Sequence, residues 1–386
     1  MKIAMVSPYS LTKPGGVQGQ VFGLSKSLRA MGHQVAIVGL ADEGGTMPPD
    51  GGRDVFVYGS STAVRSNGSV APITLSPLAA ARAERFVRRG GFDVVHIHEP
   101  LAPLGAYGLV LTHPVPTVGT YHRAGVSRWV PILKPMAALV GSRMECRVAV
   151  SEAARQTGMR SGGGAFEVLF NGVDIERFAS AVPEIDSLGR PTVLFLGRHE
   201  PRKGLDVLLD AFDAIARTAV LWIAGHEPAP EVLRRHPESD RLQWLGILSE
   251  PEVTSRLAGA DVLCAPSLHG ESFGMVLLEG MAARCAIVAS DIEGYRAAAG
   301  SFAALVPPND VPALSRALEI ALADVAEGNG RSSPAALQAA LLHAERWSMD
   351  HLAKRYLELY ELAMEGYAAG RTRESVRLRQ KESGAS

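Results

Sequence analysis

At 386 residues the chain is longer than one hydrophobic core usually serves, so two domains of about 150 to 200 residues each are expected. Lys and Arg total 39 against 40 Asp and Glu, a net charge of −1, which excludes a global field drawing in nucleic acid or membrane and leaves only local patches for either. The 3 cysteines, Cys146, Cys264 and Cys285, are odd in number and far apart, which argues against a disulfide framework or a paired-cysteine metal site and points to a reducing cytosol.

In chain order, Ile3 to Val6 reads as a short strand, too short for the apolar part of a signal peptide and followed by no small-residue cleavage site, so export is not expected. A helix near Val17 to Met31 and a strand Gln34 to Leu40 follow. Leu78 to Arg89 reads as a helix with Arg82, Arg85 and Arg89 at i, i+3 and i+7, beside Arg88, and with Leu78, Phe86 and Val87 as apolar surface. Such a helix suits anionic lipid, and it equally suits a domain surface with a solvated basic face. Arg123, Arg128, Trp129 and Lys134 around Val130, Ile132 and Leu133 form a second basic and apolar candidate. Strands are expected at Val94 to His98, Thr117 to Tyr121, Cys146 to Val150 and Phe166 to Asn171. The nearly uncharged stretch Pro100 to Thr120 is interrupted by Pro103, Pro114 and Pro116 and reads as core, not as a membrane span.

Asp174 to Ala181 reads as a turn into the polar segment Val182 to Arg190, a natural interdomain linker. The alternation then restarts with strands Val193 to Gly197, Val220 to Gly225, Leu242 to Leu245, Val262 to Pro266 and Ala286 to Ser290, and with helices Asp206 to Thr218, Pro312 to Asp324 and Ala335 to Trp347. Strands separated by helix-length segments imply parallel sheets with crossover helices, twice over. A last helix, Met349 to Gly366, carries Leu352, Tyr356, Leu359 and Ala363 on one stripe, and the polar tail 371–386 reads as disordered.

Three segments at strand ends could carry chemistry. Pro14-Gly15-Gly16-Val17-Gln18-Gly19 lets backbone approach a diphosphate without Cβ interference, although a tight turn with no ligand wants the same glycines. Its spacing is not the dinucleotide fingerprint, which argues against hydride transfer. Gly197-Arg198-His199-Glu200-Pro201-Arg202-Lys203-Gly204 brings Arg198 and Lys203 to a strand's carboxyl end, where they match phosphate, or form an ordinary basic turn. In Gly270 to Glu279, two glutamates with 7 residues between them flank Gly274, which opens a helix. Free helix-start amides suit phosphate and the carboxylates suit sugar hydroxyls, so this segment favours a nucleotide-sugar over a plain loop before a core helix.

The paired glutamates and the Gly-Arg-x(4)-Lys-Gly element resemble those of the retaining glycosyltransferases of family 4, and the resemblance covers almost the whole chain. More narrowly, Met5 to Ser10, Pro14 to Gln18, Asn67 to Val70, His96 to Pro100 and Gly270 to Gly274 resemble actinobacterial phosphatidylinositol mannosyltransferases. The resemblance implies an α/β GT-B fold, with two Rossmann-like doubly wound domains facing a central cleft and the C-terminal helix crossing back to the N-terminal domain. Residues 1–172 plus 350–370 would be the acceptor- and membrane-facing domain, and 173–349 the donor domain.

It implies further that Gly15 and Gly16 lie against the donor diphosphate and that Arg198 and Lys203 neutralise it. Glu271 would hold hydroxyls of the transferred sugar, and Phe273, Gly274, Met275 and Val276 would line the donor, in part through backbone amides. Glu279 would take the ribose. His122 would reach the transferring sugar, with Tyr9, Gln18 and Asn67 on the acceptor side, and Arg82, Arg85, Arg88 and Arg89 would face the membrane. The expected reaction transfers mannose from GDP-mannose, with retention, to a phosphatidylinositol-type lipid at the cytoplasmic membrane face, using no metal and no tightly bound cofactor. A UDP- or ADP-sugar with a soluble acceptor, a nucleotide-sugar-binding protein without transfer activity, and an epimerase are the alternatives. Two departures lie near the donor residues. Arg284-Cys285 stands where the family usually has Gly-Thr, and Gly225-His226 where a second glycine is common, so that a side chain at 226 is expected to narrow the nucleotide pocket.

Overall fold

The structure is a computed structural model that describes residues 1–13, 15–45, 47, 54–66, 69–102, 107–123, 130–271 and 273–370. It divides into two units, one built from Met1–Gly172 and the chain from Met349 on, the other from Val173–Ser348.

In the first unit, strands β1 (Lys2–Ser10), β2 (Gln34–Leu40) and β3 (Val55–Gly59), the hairpin β4 (Thr62–Ser66) and β5 (Ser69–Ile73), and then β6 (Val94–His98), β7 (Thr117–Tyr121), β8 (Cys146–Ala149) and β9 (Glu167–Val168) are separated by α1 (Gly16–Ala30), α2 (Pro77–Arg89), α3 (Tyr107–Thr112), α4 (Val130–Ser142) and α5 (Glu152–Gly162). Seven strands form one parallel sheet in the order β3-β2-β1-β6-β7-β8-β9, and β4 and β5 pair antiparallel apart from it. Alternation along β1 explains the layering. Ile3 and Met5 pack with Val21, Leu24 and Leu28 of α1, whereas Ala4 and Val6 pack with Ala79, Ala83 and Val87 of α2. A strand buried on both faces is what a doubly wound parallel sheet requires.

The second unit runs α6 (Glu176–Ala179), β10 (Thr192–Leu196), α7 (Leu205–Asp213), β11 (Val220–Ala224), α8 (Pro230–Arg235), β12 (Leu242–Gly246), α9 (Glu250–Gly259), β13 (Val262–Ala265), α10 (Met275–Ala282), β14 (Ala286–Ser290), α11 (Glu293–Ala299), β15 (Ala303–Val306), α12 (Val311–Glu327) and α13 (Pro334–Glu345). Its six strands are parallel in the order β12-β11-β10-β13-β14-β15. In both sheets the strand order reverses beside the first strand, at β1/β6 and at β10/β13, and ligands of such sheets bind beyond the carboxyl ends at this reversal.

Helix α14 (Met349–Ala368) belongs to the first unit and seals the α1 side of its sheet with Tyr356, Leu359, Tyr360 and Ala363, all buried. Tyr360, one turn beyond Tyr356, joins the stripe expected from the sequence, and Leu352 is only partly buried.

Three expectations change. The polar segment Val182 to Arg190 is not a free linker: it lies inside the second unit, where Glu184 N donates to Ser255 O at 3.1 Å, Ser255 Oγ donates to Val182 O at 2.6 Å, and Arg256 pairs with Glu184 at 2.9 Å. The sheet strand β3, the hairpin and β15 have no counterpart among the strands expected from the sequence. On α2, Val87 is a core residue and Phe86 is half-buried, stacked on Phe56 with ring centroids 4.0 Å apart, so of the three apolar residues expected on its surface only Leu78, 72% exposed, stands outward. Arg82, Arg85, Arg88 and Arg89 are all exposed, Arg88 being paired with Glu84 at 3.2 Å. Of the second basic and apolar candidate, Arg128 and Trp129 lie outside the described residues.

Candidate functional site

Each unit gathers its chemistry at the reversal of its sheet. In the second, the turn after β10 ends in Gly204, whose φ of 71° lies in the left-handed region and where a Cβ would come within 2.0 Å of Pro266 O. Only glycine lets this turn lie so close to the loop after β13. Leu268 N donates to Arg202 O at 2.7 Å and ties the two loops together.

The carboxylate of Glu271 is the hub of this cluster. Its Oε1 accepts from Lys203 Nζ at 2.7 Å, from Arg202 at 2.9 Å and from Ser267 Oγ at 3.2 Å, while its Oε2 has no hydrogen-bonding partner among the described residues. Ser267 Oγ is in turn 2.8 Å from Tyr295 OH. Arg202 also meets Glu200 Oε2 at 2.8 Å, and Arg198 meets Glu200 Oε1 at 2.7 Å. The structure thus unites Arg198, Lys203 and Glu271, and it adds Arg202, Glu200, Ser267 and Tyr295, to which the sequence reading gave no role. Arg202 stands inside the motif, but its spacing does not mark it as different from a solvated arginine.

Helix α10 begins at Gly274, whose φ of 101° is left-handed and where a Cβ would strike Tyr295 at 2.6 Å. No side chain caps this helix. Phe273 is buried with its ring 4.9 Å from that of Trp347, which anchors the segment and presents the backbone of Gly274, Met275 and Val276 at the helix start. Ser272 lies outside the described residues. Glu279, one turn on, holds Arg177 at 2.8 Å, and burial raises its pKa against the opposing charge of Arg177.

The two departures from the family pattern resolve locally. Arg284 adopts φ 65°, the left-handed position after α10 that a glycine would fill, and donates to Gln338 at 2.9 Å; Cys285 is buried with Sγ 3.2 Å from Leu257 O. Gly225 has its reason in packing, since a Cβ there would sit 2.1 Å from Gly197 O, and His226 beyond it is exposed. His199 was not singled out from the sequence. Its two ring nitrogens are buried without hydrogen-bonding partners among the described residues, and its ring lies near Phe195 and Trp244.

In the first unit, α1 starts at Gly16, capped by the extended residue Gly15. A Cβ on Gly16 would meet nothing within 4 Å, so its face is open, whereas a Cβ on Gly15 would lie 2.5 Å from Gln18 Oε1. Gln18 itself is buried and its Nε2 donates to Ser10 O at 3.1 Å, bracing the turn between β1 and α1 from beneath. Pro14 and Asn67 lie outside the described residues.

Behind His122 stands a stack of imidazoles. His98 Nδ1 is 2.9 Å from His122 Nε2, and the rings of His96 and His98 lie 4.3 Å apart and those of His98 and His122 5.1 Å apart. His96 is bonded on both nitrogens, to Tyr360 OH at 2.8 Å and to Thr120 Oγ1 at 2.7 Å, and Thr120 Oγ1 is 2.8 Å from Tyr356 OH. The carboxylate of Glu99, which has an unusual φ of 48°, accepts from the backbone N of His122 and of Arg123, each at 3.0 Å. Burial pushes the imidazoles of His96 and His122 down to about 3, so both are neutral at pH 7, and it raises the pKa of Glu99 against its hydrogen bonds and Arg123. Tyr9, half-buried, has its phenol pushed up by burial and then by the charge of Glu99. Among the described residues no group of three or more His, Cys, Asp or Glu side chains is placed to hold a metal ion.

Two family models match the chain, Glycosyltransferase Family 4 over residues 14–177 and Glycosyl transferases group 1 over 190–324. The chain is 35% identical to the phosphatidyl-myo-inositol mannosyltransferase of Mycolicibacterium smegmatis over 375 residues, 94% of each chain. It belongs to glycosyltransferase family 4. Solved structures agree on the fold: a glycosyltransferase from Rickettsia africae superposes with a TM-score of 0.73 at 18% identity, covering 94% of this chain and 98% of that one. Anabaena Alr3699/HepE, solved with UDP and glucose, superposes with a TM-score of 0.71 at 19% identity over 94% and 99%. The glycosyltransferase thus has the α/β fold class expected from its sequence.

Proposed function

We propose that this glycosyltransferase moves mannose, with retention, from GDP-mannose to a phosphatidylinositol-type lipid at the cytoplasmic face of the membrane. The observation that carries the reading is the 35% identity, across 94% of both chains, to a phosphatidyl-myo-inositol mannosyltransferase. The clusters at the two sheet reversals supply chemistry that suits it. Arg198 and Lys203 offset the diphosphate charge that grows as the bond to the sugar breaks, and the open face of Gly16, next to Gly15, admits a diphosphate to backbone distance. Glu271 Oε2, unengaged among the described residues, accepts from sugar hydroxyls, and the amides at Gly274, Met275 and Val276 face oxygen atoms of the donor. Glu279 receives the ribose hydroxyls. His122 reaches the sugar, with Tyr9 and Gln18 shaping the acceptor side. A departing phosphate oxygen takes the acceptor's proton, so the protein contributes position and charge. The exposed row of Leu78, Arg82, Arg85 and Arg89, with Leu75 52% exposed beside it, rests on anionic headgroups.

Mass spectrometry of products from a phosphatidylinositol-containing lipid extract incubated with single nucleotide-sugars tests this. A hexose added to the inositol lipid from GDP-mannose alone is expected. Transfer from a UDP- or ADP-sugar to a soluble acceptor, or release of free sugar with no acceptor product, would replace the reading with one of its alternatives.

A further inference from the structure

Two neutral imidazoles share one hydrogen bond at the end of β7, and its direction can be worked out. Burial drives His98 well below the usual histidine range and His122 down to about 3, so the short contact between His98 Nδ1 and His122 Nε2 contains a single proton. Either His98 donates it or His122 does. Were His122 the donor, His98 would have to carry its own proton on Nε2, an atom that is buried and has no partner. A buried N–H left unpaired forfeits a whole hydrogen bond, whereas a buried bare nitrogen leaves only a weaker lone pair unsatisfied. The first arrangement is therefore preferred: His98 carries its proton on Nδ1 and gives it to His122 Nε2. His122 must then hold its proton on Nδ1, a nitrogen with no hydrogen-bonding partner among the described residues.

We propose that His98 is a positioning residue that fixes His122 as the Nδ1–H tautomer, so that His122 presents a hydrogen-bond donor, not a base, to an oxygen of the bound substrate. The rest of the stack supports this. His96, bonded at both nitrogens, cannot turn to satisfy His98, and its ring stacked at 4.3 Å holds the plane of His98 in line with His122. Glu99 fixes the His122 backbone but accepts at the amide, not at the ring, so it does not compete for the imidazole proton. The consequence for catalysis rests on the reading that His122 meets the sugar; the tautomer itself does not.

Long-range proton–nitrogen correlation spectra of histidine-labelled full-length protein, with signals assigned through H98N and H122N, read the tautomers directly and require no turnover. Protonated-type nitrogen shifts at Nδ1 and bare-type shifts at Nε2 for both His98 and His122 are expected. Protonated-type shifts at Nε2 of either would overturn the proposal. His98→Asn, which can keep a donor near the Nδ1 position, is expected to preserve the His122 signal and most of the turnover, whereas His98→Leu shifts His122 toward a tautomer mixture and lowers kcat at least tenfold with KM nearly unchanged. A His98→Leu protein with the unaltered His122 tautomer would also refute it. If the spectra agree but His122→Asn transfers sugar at the normal rate, the tautomer assignment stands and the catalytic reading of His122 falls.

Discussion

Lys203 Nζ lies 2.7 Å from Glu271 Oε1, which makes the lysine expected to meet a diphosphate and the glutamate expected to meet a sugar one ion pair. Both side chains are largely shielded, with 19% and 15% exposure, and Arg202 and Ser267 converge on the same oxygen. Removing the carboxylate takes the counter-charge from Lys203 and leaves Arg202 with Glu200 alone, and removing the lysine takes a positive charge from the departing phosphate.

Lys203→Met is accordingly expected to lower kcat by about 10² to 10³, the usual loss of one preorganised electrostatic contact. Steady-state kinetics with saturating donor check this. Equal kcat with only a raised KM would mean that the lysine binds the donor without acting on the transition state.

The two glycine positions separate stability from ligand approach. Gly204→Ala places a Cβ within 2.0 Å of Pro266 O at a φ of 71°, and about 1 to 3 kcal/mol of stability is expected to be lost. Gly16→Ala meets nothing within 4 Å and is expected to stay within about 0.5 kcal/mol of the parent while weakening nucleotide-sugar binding. Urea midpoints paired with thermal shifts in the presence of GDP-mannose distinguish the two behaviours. Normal donor affinity in Gly16→Ala would remove that glycine from the donor site.

Acid stability follows from His96. Its pKa falls from 6.5 in the unfolded chain to about 3 when buried, so between these values the unfolded chain binds more protons than the folded one. Stability is therefore fully present above about pH 6.5 and is lost as pH falls toward 3, at up to about 1.4 kcal/mol per pH unit for one such group. Urea titrations at pH 7, 6 and 5 should show a shallower acid slope in His96→Phe than in the parent, whatever the change in absolute stability. Parallel slopes would contradict the assignment.

Replacing Arg82, Arg85 and Arg89 together by Gln is expected to weaken binding to anionic vesicles by roughly two decades at low salt, since each cation near such a surface contributes about 1 kcal/mol. The fold should be unaffected, because all three side chains are exposed. Vesicle sedimentation at two salt concentrations measures it, and unchanged binding would move the lipid surface elsewhere on the protein.

Much of this architecture could be read from residues in order, because a strand buried on both faces leaves an unmistakable apolar run, as in β11 and β14, and because Gly204 and Gly274 announce turns that no other residue tolerates. The hairpin strands β4 and β5, with Thr62, Arg65, Ser66 and Ser69 among their residues, carry no such apolar run. The segment Val182 to Arg190 reads as a linker because its composition is polar, but hydrogen bonds to Ser255 hold it, and composition does not encode a partner 73 positions away. For the same reason the site was legible where charge or glycine marks it, and not where neutral polar groups meet across the fold. His96, Thr120, Tyr356 and Tyr360 come from three elements far apart in the chain, and each taken alone looks like ordinary core.

The origin of α14 has a bearing on biosynthesis. The first unit borrows Tyr356, Leu359 and Tyr360 from the far end of the polypeptide, while residues 173–348 form their unit from one unbroken stretch. During translation the second unit can finish while the first still exposes the apolar flank of Val35, Ile37 and Val94, so the order in which the ribosome delivers residues is not the order in which the two halves mature.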